Sequence, residues 1–206
     1  MDRTAAQVKK TPDHYVIDPD GDDLLVGTVV GMPGVVVSAT SGAVGPDFFY
    51  VQADNRTAGI RVEGSTAGLD VGDVVDVIGI VMTDGVEREV RFPIVQAAGM
   101  GGVGPLFMCN SSVGGTTDGP ALGVTDALGP NNVGVLVRVS GQVTASSGSE
   151  FVLTDGSTAN GITCRASAGI TIPETGFAIV TGVVSLEEIG SAREVVILIR
   201  DQQDIQ

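Results

Sequence analysis

The sequence predicts an all-β protein in which one unit is used twice. Three observations carry this. Glycine is abundant, 30 of 206 residues, and alternates with short Val-, Thr- and Ser-rich runs, the composition of strands joined by tight turns. Apolar positions with a 3.6-residue period are almost absent, so long amphipathic helices are not expected. The stretch "FFYVQADNRTAGIRV" (48–62) is echoed by "FVLTDGSTANGITC" (151–164), each reading as strand, Asp-containing polar turn, and a strand opening on Gly-Ile.

Residues 1–17, "MDRTAAQVKKTPDHYVI", form an N-terminal extension with no counterpart before the second unit. The first unit, 18–100, opens on the turn "DPDGDD" and continues as strands at 24–30 and 35–39, read as one long strand bent at "GMPG". Strands at 48–53 and 59–63 make a hairpin across "DNRTAG". After a loop carrying Leu69 and Val71, strands at 74–82 and 89–96 make a second hairpin across "TDGVER". A Gly-rich linker, 101–131, contains Leu106, Phe107 and Met108, apolar residues that call for docking on a domain. The second unit, 132–206, repeats the order with strands at 133–145, 151–154, 161–165, 177–186 and 193–200. Gly27, Gly79, Gly141 and Gly182 fall inside strand patterns, where they mark bends or bulges.

Five strands, the first long and bent, with a loop between the third and fourth, is the strand order of the OB-fold, a small, partly open Greek-key barrel. The strings "FFYVQADNRTAGIRV", "GLDVGDVVDVIGIV", "VEREV", "PLFMCNSSVGG", "GPNNVGVLVRVSGQV" and "FVLTDGS" resemble a tandem OB-fold module of secreted and cell-surface bacterial proteins, over roughly residues 20–206. The resemblance implies two five-stranded OB-like barrels and an extracellular or cell-surface location; it brings no catalytic motif and does not extend to residues 1–17.

Charge narrows the function. The chain has 11 basic and 25 acidic residues, a net of −14, with 7 basic and 15 acidic in 1–105 and 4 and 10 in the remainder. Nucleic-acid affinity comes largely from Lys and Arg that displace counterions, so both halves argue against such a partner. No apolar run approaches the ~20 residues of a membrane span. "MDRTAAQVKK" has no signal-peptide core, which leaves a cytosolic protein or a mature secreted form; the few lysines and Thr/Ser/Gly-rich strands favour the latter.

No enzyme is expected. The one histidine, His14, lies in the extension, and GxSxG, P-loop and HExxH motifs are missing. The carboxylate pairs Glu87/Glu89 and Glu187/Glu188 are expected to face water. No cofactor is expected either, with calcium as the one candidate: Asp18, Asp20 and Asp22 have the alternate spacing of a calcium loop around Gly21, but its twelfth position is Val29 in place of Glu. Cys109 and Cys164 are either two thiols or one disulfide; the secreted character favours a bridge that pins the linker to the second barrel, constraining a loop of about 55 residues by roughly 4 kcal/mol.

Two function classes remain. One is a non-enzymatic structural protein, a subunit of a surface filament or adhesive layer that binds copies of itself head to tail. Its partner-binding residues are His14, Tyr15, Val16 and Ile17, the β-prone run of the extension, which would add to a barrel edge of the next subunit; the alternative is that the extension folds back on its own barrel. The alternative is a ligand-binding OB-fold pair for oligosaccharide or single-stranded nucleic acid. Its face would be Phe49, Arg61, Arg91 and Phe92 in the first unit, with Phe151, Phe177, Arg165 and Arg193 in the second, although with aromatics at only 4% of the chain core packing is the favoured role of each Phe. Phe48 and Phe49 are adjacent in a strand and must point to opposite faces.

Overall fold

A computed structural model of the protein describes residues 2–17, 23–25, 27–189 and 192–206. Asp18, Asp20 and Asp22 lie outside the described residues. The chain opens with a helix that the apolar pattern does not announce, α1 (Ala5–Lys9). It starts on a capping box: Gln7 N–H donates to Thr4 Oγ1 at 3.2 Å, and Thr4 N–H to Gln7 Oε1 at 2.9 Å. Two short strands follow, β1 (Tyr15–Ile17) and β2 (Asp23–Leu25), which pair antiparallel in a sheet of their own. The run expected to add to a barrel edge therefore pairs locally with residues expected to begin the first barrel strand. Gly27, at φ 62°, separates β2 from that strand, a conformation costly for other residues.

The first unit contains β3 (Thr28–Ala39), a short helix α2 (Ser41–Val44), β4 (Phe48–Gln52), β5 (Gly59–Glu63), β6 (Asp73–Asp84) and β7 (Glu87–Met100). The strands close into a barrel in the order β3-β4-β5-β7-β6. Only the β5–β7 pairing is parallel. β3 bends at "GMPG", where its register to β6 shifts between Met32 and Val35. Alternation then fills the barrel: Val30, Val37, Phe49, Val51, Ile60, Val62, Val75, Val77, Val81 and Val90 form its core.

Beyond it lie β8 (Leu106–Phe107), β9 (Leu136–Ser147), β10 (Glu150–Thr154), β11 (Ile162–Ala166), β12 (Phe177–Ile189) and β13 (Ala192–Ile199). They form a second sheet ordered β10-β11-β13-β12-β9-β8, in which β9 also pairs with β10 and the β11–β13 pairing is parallel. Its core contains Phe151, Leu153, Ile162, Cys164, Val180, Val184, Ile197 and Ile199. The linker is docked: β8 runs parallel to β9, and Asn110 Nδ2 donates to Leu153 O at 2.8 Å.

Residues 2–13 lie on the chain's own first barrel. Arg3 N–H donates to Gly31 O at 2.7 Å, in an isolated parallel bridge between Asp2 and Gly31 of β3. Ala5 and Val8 enter the first core. Asp13 is paired with Arg88 and accepts from Thr83 Oγ1 at 2.8 Å.

Candidate functional site

The two units meet along a buried, polar seam. Tyr50 of β4 donates to Ser185 Oγ of β12 at 3.1 Å, and Ser185 Oγ donates to Glu87 Oε2 of β7 at 2.8 Å. All three side chains are buried. Gln52 Oε1 accepts from Leu136 N–H at 2.9 Å, and Arg200, held by Asp204 at 2.8 Å, donates to Ser38 O at 3.0 Å. Around these bonds Ala39 and Tyr50 pack with Leu136, Val183, Val196 and Leu198, one apolar cluster drawn from both units. The backbones touch at Gly59 and Gly134, where a methyl group on either residue would collide with the main chain of the other.

Helix α1 spans the same seam. Lys9 is buried, yet its ammonium donates to Asn131 Oδ1 and to Val133 O, both at 2.7 Å. Desolvation by burial lowers its pKa to about 8, against the nearby charges of Glu87 and Asp118. Burial likewise raises the Glu87 carboxyl, partly offset by Arg61, and raises the Tyr50 hydroxyl.

These placements correct several expectations. Glu87 and Glu89 do not face water: they are 2% and 4% exposed, because the start of β7 lies against the seam and under two arginines. Phe49 and Phe151, each 1% exposed, take the core role favoured for them and so offer no stacking surface to a ligand. Phe48, beside Phe49 in β4, is half-buried beneath the Arg61 guanidinium, 5.2 Å from its ring centroid. Arg61 and Arg91 both pair with Glu89 and with Asp84, a group of balanced charge. Arg165 pairs with Glu150 and Glu187. Arg193 is half-buried on β13, while Phe92 and Phe177 are exposed, at 72% and 61%.

The expected disulfide is not formed. Both cysteines are free, Cys109 exposed and Cys164 buried. Cys164 points into the second core, whereas Cys109 sits on the linker with its Sγ 3.3 Å from the hydroxyls of Ser111 and Ser112. Those hydroxyls lower the Cys109 pKa; burial raises that of Cys164. Among the described residues, no group of three or more His, Cys, Asp and Glu side chains is placed to hold a metal ion.

Two further surfaces stand out. A cleft of about 400 Å³ lies between the linker and the β10–β11 turn, lined by Asn110, Ser111, Thr125, Asp126, Thr158 and Asn160 over an apolar floor of Val113, Ile162 and Val195. Asn110 is 1% exposed, and among the described residues neither its Oδ1 nor Thr158 Oγ1 has a hydrogen-bond partner. The other surface is an edge. β5 pairs with β7 at Glu89 and Val90, after which β7 continues to Met100 paired, among the described residues, with β6 alone. Phe92 N–H is taken by Glu63 Oε2 at 3.2 Å, ending the pairing on that side. From there the strand is uncovered, with Phe92 72%, Ile94 69% and Met100 92% exposed, and "FPIVQAAGM" carries no charged residue. Phe92 itself has φ 51°, a strained value for an aromatic residue.

No family model, curated protein or solved structure matches the chain. No helix among the described residues is long and apolar enough to cross a membrane.

Proposed function

We propose that the chain is a structural rather than catalytic protein, a tandem OB-type module that acts outside the cell as a subunit of a self-associating assembly. The OB reading of both units is supported by their pairing. In the first, strands one to five join as one-two-three-five-four and close on the first strand; in the second, β9 to β13 follow the same order with β9 returning to β10, and third and fifth strands are parallel in each. The seam supports a rigid building block, since hydrogen bonds and apolar packing both cross it.

The observation that carries assembly is the bare edge of β7. Folded proteins guard long edge strands with charge, bulges or a covering segment, because unpaired backbone groups template association. Here Phe92–Met100 is interrupted by Pro93 and by two bulges against β6, yet it carries no charge on a chain of net −14 and no covering strand on its outer side among the described residues. Light scattering and negative-stain microscopy across a concentration series test the reading. Oligomers or filaments are expected, and a strict monomer at high concentration overturns it.

A second reading, binding of a small neutral polar ligand, is favoured by the cleft with its two unpartnered polar atoms. Nucleic acid fits poorly, because the arginines of both candidate faces are paired with carboxylates.

A further inference from the structure

The extension divides at Asp13. Before it, the chain is fixed to its own barrel by the Gly31 bridge, the buried face of α1 and the Asp13–Arg88 ion pair. Directly after it come β1 and β2, which pair only with each other among the described residues. A two-stranded ribbon is marginal on its own in water and gains stability by joining a larger sheet. The ribbon leads into β3, and β3 and β7 flank β6 on opposite sides. The uncovered edge of β7 therefore lies across the sheet from the point where its own ribbon emerges.

We infer, resting on the assembly reading above, that the Phe92–Met100 edge receives the β1–β2 ribbon of a second copy of this chain, joining subunits head to tail. The two surfaces fit in chemistry. From Ile94 to Met100 the edge has no paired strand on its outer side among the described residues and no charge; the ribbon offers outer strand edges whose sequences, "YVI" and "DLL", are mostly apolar. Pairing between identical β7 edges would instead give a closed two-fold dimer and leave every ribbon unjoined. Donation of the ribbon joins both elements at once, and because donor and acceptor are different surfaces the contact repeats from subunit to subunit.

Ile94→Lys and Gln96→Lys each place a charge on the exposed edge without entering the core. Sedimentation velocity should show the concentration for half-assembly rising by at least about tenfold in both, with thermal unfolding unchanged. In a Cys109→Ser background, Val16→Cys chains mixed with Ile94→Cys chains should oxidise chiefly to mixed disulfides between the two. If wild-type chains do not associate, the assembly reading falls and the inference with it. If they associate but neither lysine variant weakens them, or Ile94→Cys chains couple chiefly to one another, or no mixed disulfide forms, the inference alone is overturned.

Discussion

The Tyr50 hydroxyl of the first barrel reaches across the seam to Ser185 Oγ at 3.1 Å, and through it to Glu87, so one buried chain of hydrogen bonds belongs to both units. Tyr50→Phe removes the donor and leaves a buried acceptor unmet, which should cost about 1–3 kcal/mol. In urea the midpoint should fall with the slope unchanged, since the same surface is exposed on unfolding. Ser185→Ala should cost more, because it also strips Glu87 of a donor, and the double variant should fall short of the sum.

Gly59→Ala and Gly134→Ala each set a methyl group against the opposing backbone. Neither backbone can step aside without opening the seam, so destabilisation of about 1–3 kcal/mol or more is expected for each by thermal or chemical unfolding. Gly102→Ala is the control: its side chain would meet open space, and its effect should stay within about 0.5 kcal/mol.

Lys9 makes stability depend on pH at alkaline values. Its pKa falls from 10.5 unfolded to about 8 folded. Between those values the unfolded chain holds a proton that the folded chain has released, so stability rises with pH through this window. Conversely, that contribution is lost as pH falls from 10.5 through 8. The melting temperature should climb between pH 8 and 10 more steeply in wild type than in Lys9→Met, measured by scanning calorimetry in buffers of small ionisation enthalpy.

The cysteines should differ sharply in reactivity. Cys109 is exposed with its pKa lowered, and Cys164 is buried with its pKa raised. A thiol reagent at neutral pH should label one site in the folded protein and two after denaturation, read by intact mass. Rapid double labelling, or none, would contradict these placements.

Much of the strand pattern was legible in the sequence. "VVDVIGIV" and "FAIVTGVV" alternate as predicted, with Val75, Val77 and Val81 inward in one and Ala178, Val180 and Val184 in the other. The Phe48–Phe49 pair shows a limit of such reasoning: alternation requires opposite faces but does not say which residue is inside. Helix α1 escaped because it is only five residues long, too short for periodicity, although "TAAQ" carries the capping-box spacing that could have revealed it. The seam was illegible for a different reason. Tyr50, Glu87 and Ser185 become neighbours only once two units are packed, and in sequence a carboxylate on a strand end reads as solvent-facing. The cysteine pairing likewise depended on directions in space that spacing alone does not contain.

Under the proposed ribbon-to-edge contact, the uncovered stretch of β7 also sets how the assembly would grow. In the language of step polymerisation, a monomer with one acceptor and one complementary donor has a functionality of two. Such monomers lengthen into linear chains and do not branch or gel; their mean length climbs with concentration, and added fragments carrying only one of the two groups act as chain stoppers. Under the proposed contact, an isolated peptide spanning both strands of the ribbon, residues 14–25, would compete for the edge in that way and shorten the product in proportion to its occupancy.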